Sequence, residues 1–221
     1  MTGAVGAFGK MPGMGDFLRL NLSAGFVQSW DTWLQEGMLA ARDRLGAQWE
    51  ACYLSAPIWR FSLPPLAPGK PSFSGILMPS VDRVGRQYPL TLAMPCDAGS
   101  VPLRHFSNET FFGRLEAIAL AALEEDLTRD ALAARLEGLT PSTLTPEGFS
   151  PRSYAGVQPP ERLLAARYIE DHHPGMGLWT SATADAHLMF LSHGLPDPLQ
   201  VSAMFDPAAG IWRTDAVART A

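Results

Sequence analysis

Apolar residues recur at three- and four-residue steps through Phe26, Trp30, Trp33, Leu34, Met38, Ala41 and Leu45, which predicts a helix with one broad buried face. Ser23 stands where an N-cap belongs, Arg42 and Arg44 suit the negative C-terminal end of the dipole, and Gly46 is placed to stop the helix. A period of two governs other segments. Ala4 to Phe8 suits a short strand, and Ile58-Trp59-Arg60-Phe61 puts Trp59 and Phe61 on one sheet face and Ile58 and Arg60 on the other. Phe73 to Met78 and Tyr88 to Met94 read as two more strands, the second alternating Tyr88, Leu90, Leu92 and Met94. The polar stretch from Pro79 to Gln87, with Gly85, suits a hairpin between them. No crossover helix separates these strands, so the pairing is expected to be antiparallel.

The second half predicts a helix from Glu109 to Glu125, capped by Asn108, with Phe111, Leu115, Ile118, Ala119 and Ala122 on one face. A shorter helix, Arg129 to Glu137, follows a Thr128 cap and ends at Gly138. Thr140 to Pro160, with five prolines, reads as a long surface loop. Glu161 to Asp171 forms a further helix, Leu178 to Thr183 and His187 to Ser192 are strands, and Asp197-Pro198 opens a last short helix. The tail strands need a sheet to join. The expectation is therefore one domain across residues 1–221, an α+β fold with a mainly antiparallel sheet packed by helices in an α/β/α-type sandwich.

Composition narrows the functional classes. A chain of 221 residues with 47% hydrophobic residues can bury a full core, and its aromatic content argues against disorder. The net charge of −5 argues against general nucleic-acid binding, which needs a basic surface to displace counterions. Cys52 and Cys96 match no zinc spacing and are too few for a disulfide framework, so free thiols are the expectation, with one bridge as the alternative. The first residues lack a basic and then apolar leader, and no run of about 18 apolar residues occurs. The expected location is cytoplasmic, without membrane insertion.

Gly9-Lys10-Met11-Pro12-Gly13-Met14-Gly15-Asp16-Phe17 demands a loop with special backbone angles and invites a phosphate-binding reading. The P-loop test fails, because Gly9-Lys10 precedes the other glycines and no hydroxyl residue follows the lysine. A rigid strand-to-helix connection is the better reading. Asp82, Arg83 and Arg86 make a compact charged turn that either grips a partner's carboxylate or phosphate, or pairs Arg83 or Arg86 with Asp16 to pin the glycine loop. Arg60 interrupts an aromatic strand, so it faces solvent or a carboxylate. The five histidines show no H-x-x-x-H spacing, and Ser192-His193 lacks a nucleophile elbow. Trp30, Trp33 and Trp179 belong to the core. No cofactor, metal or catalytic set is expected, and the protein reads as a non-enzyme.

Four motifs in order resemble the type VI secretion-associated TagF family, also called ImpM. They are Gly9-Lys10-x-Pro12-x-x-Gly15-Asp16-Phe17, Trp30-Asp31-x-Trp33-Leu34, Pro57-Ile58-Trp59-Arg60-Phe61, and Gly75-Ile76-Leu77-Met78-Pro79-Ser80-Val81-Asp82-Arg83-Val84-Gly85-Arg86-x-Tyr88-Pro89-Leu90. The likeness continues more weakly through Gly177-Leu178-Trp179-Thr180 and Gly194-Leu195-Pro196, where Thr180 stands in place of the family's frequent second tryptophan. The resemblance implies a cytoplasmic, post-translational repressor of the secretion system whose partner is the system's forkhead-associated scaffold protein or a component near it at the membrane base. It also makes Lys10, Asp16, Asp82, Arg83 and Arg86 the candidate partner-binding residues. The alternative is a small-ligand or phosphate-binding protein or enzyme that uses the Gly9–Asp16 loop.

Overall fold

Helix α1 (Ala24–Leu45) forms where the apolar stripe predicts it, and both ends carry the expected chemistry. Ser23 Oγ accepts from the Phe26 amide at 3.3 Å, and the Gly46 amide donates back to the Arg42 carbonyl. The chain is described by a computed structural model over residues 3–124, 127–141, 153, 155–156 and 158–212. The long Pro-rich loop expected between Thr140 and Pro160 lies mostly outside the described residues.

Among the described residues seven strands make one sheet: β1 (Gly6–Gly9), β2 (Leu18–Leu20), β3 (Trp59–Leu63), β4 (Ser72–Met78), β5 (Leu90–Cys96), β6 (Gly177–Ala182) and β7 (His187–Ser192). Their order is β2-β1-β5-β4-β3-β6-β7, and every neighbouring pair is antiparallel. The tail strands enter through β6, which pairs with β3 in the register Phe61 to Trp179.

Alternation along the strands divides the core in two. Trp59, Phe61 and Leu63 of β3, with Phe73 and Leu77 of β4, meet α1, α2 (Trp49–Ser55) and α7 (Pro198–Met204) on one face. Ile76 and Met78 of β4, with Leu90, Leu92 and Met94 of β5, pack under α4 (Glu109–Ala121) and α5 (Arg129–Leu136) on the other. On that second side, α3 (Val101–Ser107) and α6 (Pro160–His172) close over Leu178 through Val101 and Ile169. The result is the expected α+β arrangement, with helices on both faces of an antiparallel sheet.

Trp30 is fully buried at the centre of the first face. Its ring lies 4.7 Å from Trp33, 4.9 Å from Phe61 and 6.2 Å from Trp179, centroid to centroid. Burying each such ring stabilises the fold by about 2–3 kcal/mol before entropy is counted. The indole N–H groups are all satisfied here: Trp30 Nε1 donates to Thr91 Oγ1, Trp33 Nε1 to the Pro196 carbonyl, and Trp59 Nε1 to the Met204 carbonyl. Gly37 lets α7 approach α1 closely, because a Cβ there would lie 2.5 Å from Val201 Cγ1.

Several details depart from the pattern-based expectation. β1 starts at Gly6 rather than Ala4, and α4 ends at Ala121. Asn108 holds the N-cap position of α4, but its side chain makes no capping bond there; its Nδ2 donates to the Arg104 carbonyl at 2.8 Å, back along α3. Tyr88 lies before β5, beside the isolated Val81–Gln87 bridge, and packs on the α1 side while Leu90, Leu92 and Met94 point to the other. Cys96 is buried, Cys52 is half-buried, and both are free thiols.

Candidate partner-binding site

β1 pairs with β5, so the glycine loop leaving β1 and the hairpin tip entering β5 lie side by side at one end of the sheet. Gly9 makes the approach possible. Its φ is +133°, and a Cβ there would stand 2.0 Å from the Pro89 carbonyl oxygen.

Asp82 is the hub between the two loops. Its Oδ2 accepts from Lys10 Nζ at 2.9 Å and from Arg86 Nε at 2.6 Å, and its Oδ1 accepts from the Val84 and Arg86 amides at 3.1 and 2.9 Å. Four donors fill the carboxylate's acceptor sites. Burial would raise its pKa, but the Lys10 bond, then the Arg86 and Val84 bonds, outweigh that and hold the acid well below the usual carboxylate range. The turn closes through the Gly85 amide on the Asp82 carbonyl at 2.9 Å, with Gly85 at a φ of +80°.

The two arginines reach across to the glycine loop. Arg86 Nη2 donates to the Gly15 carbonyl at 2.7 Å, Arg83 Nη2 to the Gly13 carbonyl at 2.8 Å, and the Arg83 amide to the Met14 carbonyl at 3.0 Å. The hairpin therefore does pin the loop, but neither arginine pairs with Asp16. That carboxylate is exposed, with no ion pair among the described residues. Lys10 and Asp82 are only 7% and 2% exposed, so they shape this surface from beneath. Arg83, Arg86, Asp16 and the 71%-exposed Val84 form its outer layer. Phe17 joins them, its ring 4.8 Å from Tyr88 and 5.3 Å from Lys10 Nζ.

A second layer of contacts ties this tip to α1 and α2. Tyr88 Oη donates to Asp31 Oδ1 at 2.6 Å, and Tyr53 Oη donates to the Ser80 carbonyl at 2.7 Å. Trp49 Nε1 donates to Gln87 Oε1 at 2.6 Å, and the Arg42 guanidinium sits 5.2 Å from the Trp49 ring. Helical periodicity signals Arg42 only as a favourable charge near a helix end, and nothing in the sequence joins it to the hairpin.

The lysine that a phosphate would need in the glycine loop is turned inward to Asp82. Elsewhere, His105 sits in a buried polar seam: Nδ1 meets Ser62 Oγ at 3.2 Å, Nε2 meets Thr180 Oγ1 at 2.7 Å, and Ser62 Oγ meets Ser74 Oγ at 3.0 Å. Burial, and then the charge of Arg60, push His105 down to about 3, so it is neutral. Arg60 finds carboxylates, bonding Glu116 through Nε and Nη2 at 2.6 and 2.9 Å and Glu109 through Nη1 at 2.8 Å. Ser192 Oγ accepts from Trp179 Nε1 and donates to the Gly194 carbonyl, rather than meeting His193. Among the described residues, no three His, Cys, Asp or Glu side chains gather as metal ligands, and no helix is long and apolar enough to cross a membrane.

Residues 6–139 match the family described as the TagF N-terminal domain, type VI secretion system-associated. No curated protein matches the chain. Among solved structures, PA0076 from Pseudomonas aeruginosa PAO1 is similar at 30% identity and a TM-score of 0.77, over 96% of this chain and 98% of that one. The motifs that meet at the hairpin tip, Gly9–Phe17, Trp30–Leu34 and Gly75–Leu90, all fall inside the matched segment. With more than half its length matched, the chain belongs to the type VI secretion system-associated TagF family.

Proposed function

We propose that this type VI secretion-associated protein is a non-catalytic regulator, a post-translational repressor that acts by binding the system's forkhead-associated scaffold through the paired loop tips. The observation that carries this reading is the pre-organisation of the tip. Exposed Arg83 and Arg86 are fixed by carbonyls of Gly13 and Gly15 and by buried Asp82, so a partner meets a surface already ordered. Such fixing lowers the entropy lost on binding and suits recognition by charge and shape.

The test is a pull-down of the purified scaffold with Arg83→Glu and Val84→Glu variants. Both side chains are exposed, and neither bonds Asp82 through its side chain. Loss of capture with an unchanged thermal midpoint supports the reading; full capture by both variants removes it. Arg86→Glu is a poor choice, because it would set a carboxylate against Asp82 and Gly15.

A further inference from the structure

Beside the tip lies an open depression of about 540 Å³, lined by Arg42, Trp49, Glu50, Gly85, Arg86 and Gln87. We infer that this depression binds a carboxylate-bearing segment of the partner protein, with Arg42 and Arg86 as the two gripping groups. The inference rests on the proposed regulatory reading for the partner's identity and on local chemistry for the site.

Two guanidinium groups border the depression from different elements, α1 and the hairpin. Neither is saturated. Arg42 makes one long hydrogen bond, Nη2 to Gln87 Oε1 at 3.4 Å, and among the described residues no carboxylate pairs with it. Arg86 uses Nε on Asp82 and Nη2 on Gly15, which leaves Nη1 without a hydrogen-bond partner among the described residues. A guanidinium carries five N–H donors, so both retain capacity for an incoming carboxylate.

The floor is rigid, because Trp49 Nε1 and Gln87 Oε1 are locked together at 2.6 Å and Trp49 is buried below. The Trp49 face also orients Arg42 by a cation–π contact. Asp82 already draws charge from Lys10 as well as from Arg86, so the hub itself does not cancel the site's positive character. Glu50 on the rim is the one lining carboxylate. It opposes an acidic ligand, and that gives the inference a sign that a purely structural role for Arg42 would not share.

The experiment titrates the full chain with a fluorescein-labelled hexaglutamate peptide, read by anisotropy at low salt, with hexaglutamine as the neutral control. Wild type should bind hexaglutamate in preference. Arg42→Gln should weaken it by about tenfold, Glu50→Gln should tighten it about threefold, and Arg167→Gln on α6 should change nothing. Equal binding of the two peptides, or equal effects of Arg42→Gln and Arg167→Gln, overturns the inference.

Purified scaffold is then titrated into the same proteins. Weaker scaffold binding by Arg42→Gln supports the assigned occupant. Unchanged scaffold binding overturns that assignment while leaving the regulatory reading intact. Hexaglutamate binding without any scaffold binding sustains the carboxylate-binding site and removes the regulatory reading instead.

Discussion

The Lys10 ammonium lies 2.9 Å from the Asp82 carboxylate, joining two loops 72 residues apart in sequence, and both side chains are shut away from water. The pair is not symmetric in its supports. Asp82 has three further donors, whereas Lys10 has, among the described residues, only the carboxylate and the Phe17 ring face. Asp82→Ala therefore strands a buried cation and should cost about 3–5 kcal/mol. Lys10→Met leaves Asp82 partly satisfied and should cost distinctly less. Urea denaturation of the two variants measures the difference, and equal losses would show that the asymmetry is not felt.

Acid should destabilise the protein in two stages. His105 is neutral and buried when folded, with a pKa near 3, but titrates near 6.5 in an unfolded chain. Between those values the unfolded state binds the extra proton, so stability falls as pH drops, by up to about 1.4 kcal/mol per unit. Asp82, held low by its donors, adds a second loss below about pH 4, once its unfolded counterpart protonates. His105→Gln should flatten the profile between about pH 6 and 4 while leaving the lower limb. Chemical denaturation across pH would reveal an unaltered slope if His105 were not the source.

Gly9 and Gly85 both have positive φ, yet they should respond differently to alanine. A Cβ at Gly9 collides with the Pro89 backbone, while one at Gly85 meets open space. Gly85→Ala should cost about 1 kcal/mol, from backbone conformation alone. Gly9→Ala adds a clash that no side-chain rotation relieves and should cost about 3 kcal/mol or more. Thermal melts that rank the two variants the other way would contradict this account.

The family-matched segment should not fold alone. It ends at residue 139, before β6, β7 and α7. Without them, Trp33 and Trp59 lose the Pro196 and Met204 carbonyls, and β3 becomes a bare sheet edge. A 1–139 fragment should lack a cooperative transition and the near-ultraviolet signal of packed tryptophans. A sharp melt would refute the prediction.

Long periodic elements were legible because their own residues carry the signal. α1 announces itself through Ser23, its apolar stripe and Gly46, and the short α7 is betrayed by its Asp197-Pro198 start. Other short elements were not legible. β2 has three residues, α2 has seven and follows directly on the 3-10 turn Gly46–Gln48, and α3 is a single seven-residue stretch too short to show a helical period. At the tip, the sequence offered Asp16 as the arginines' partner because side-chain charges are visible in a sequence. Carbonyl directions are not, and those of Gly13 and Gly15 arise only once β1 and β5 pair. His105 was opaque for a similar reason: Ser62 and Thr180 reach it from strands 43 and 75 residues away.

The bond from Trp59 to the Met204 carbonyl also sets a schedule for the chain as it is made. Trp59 emerges from the ribosome early, but the backbone group that satisfies its indole appears 145 residues later. At about 5–20 residues per second, that interval is of the order of ten seconds. During it, the broad aromatic face built by Trp30, Phe61 and Trp59 waits for Trp179 and α7 to cover it. Nascent chains of this protein thus present chaperones with a sticky surface until nearly the last helix has been synthesised.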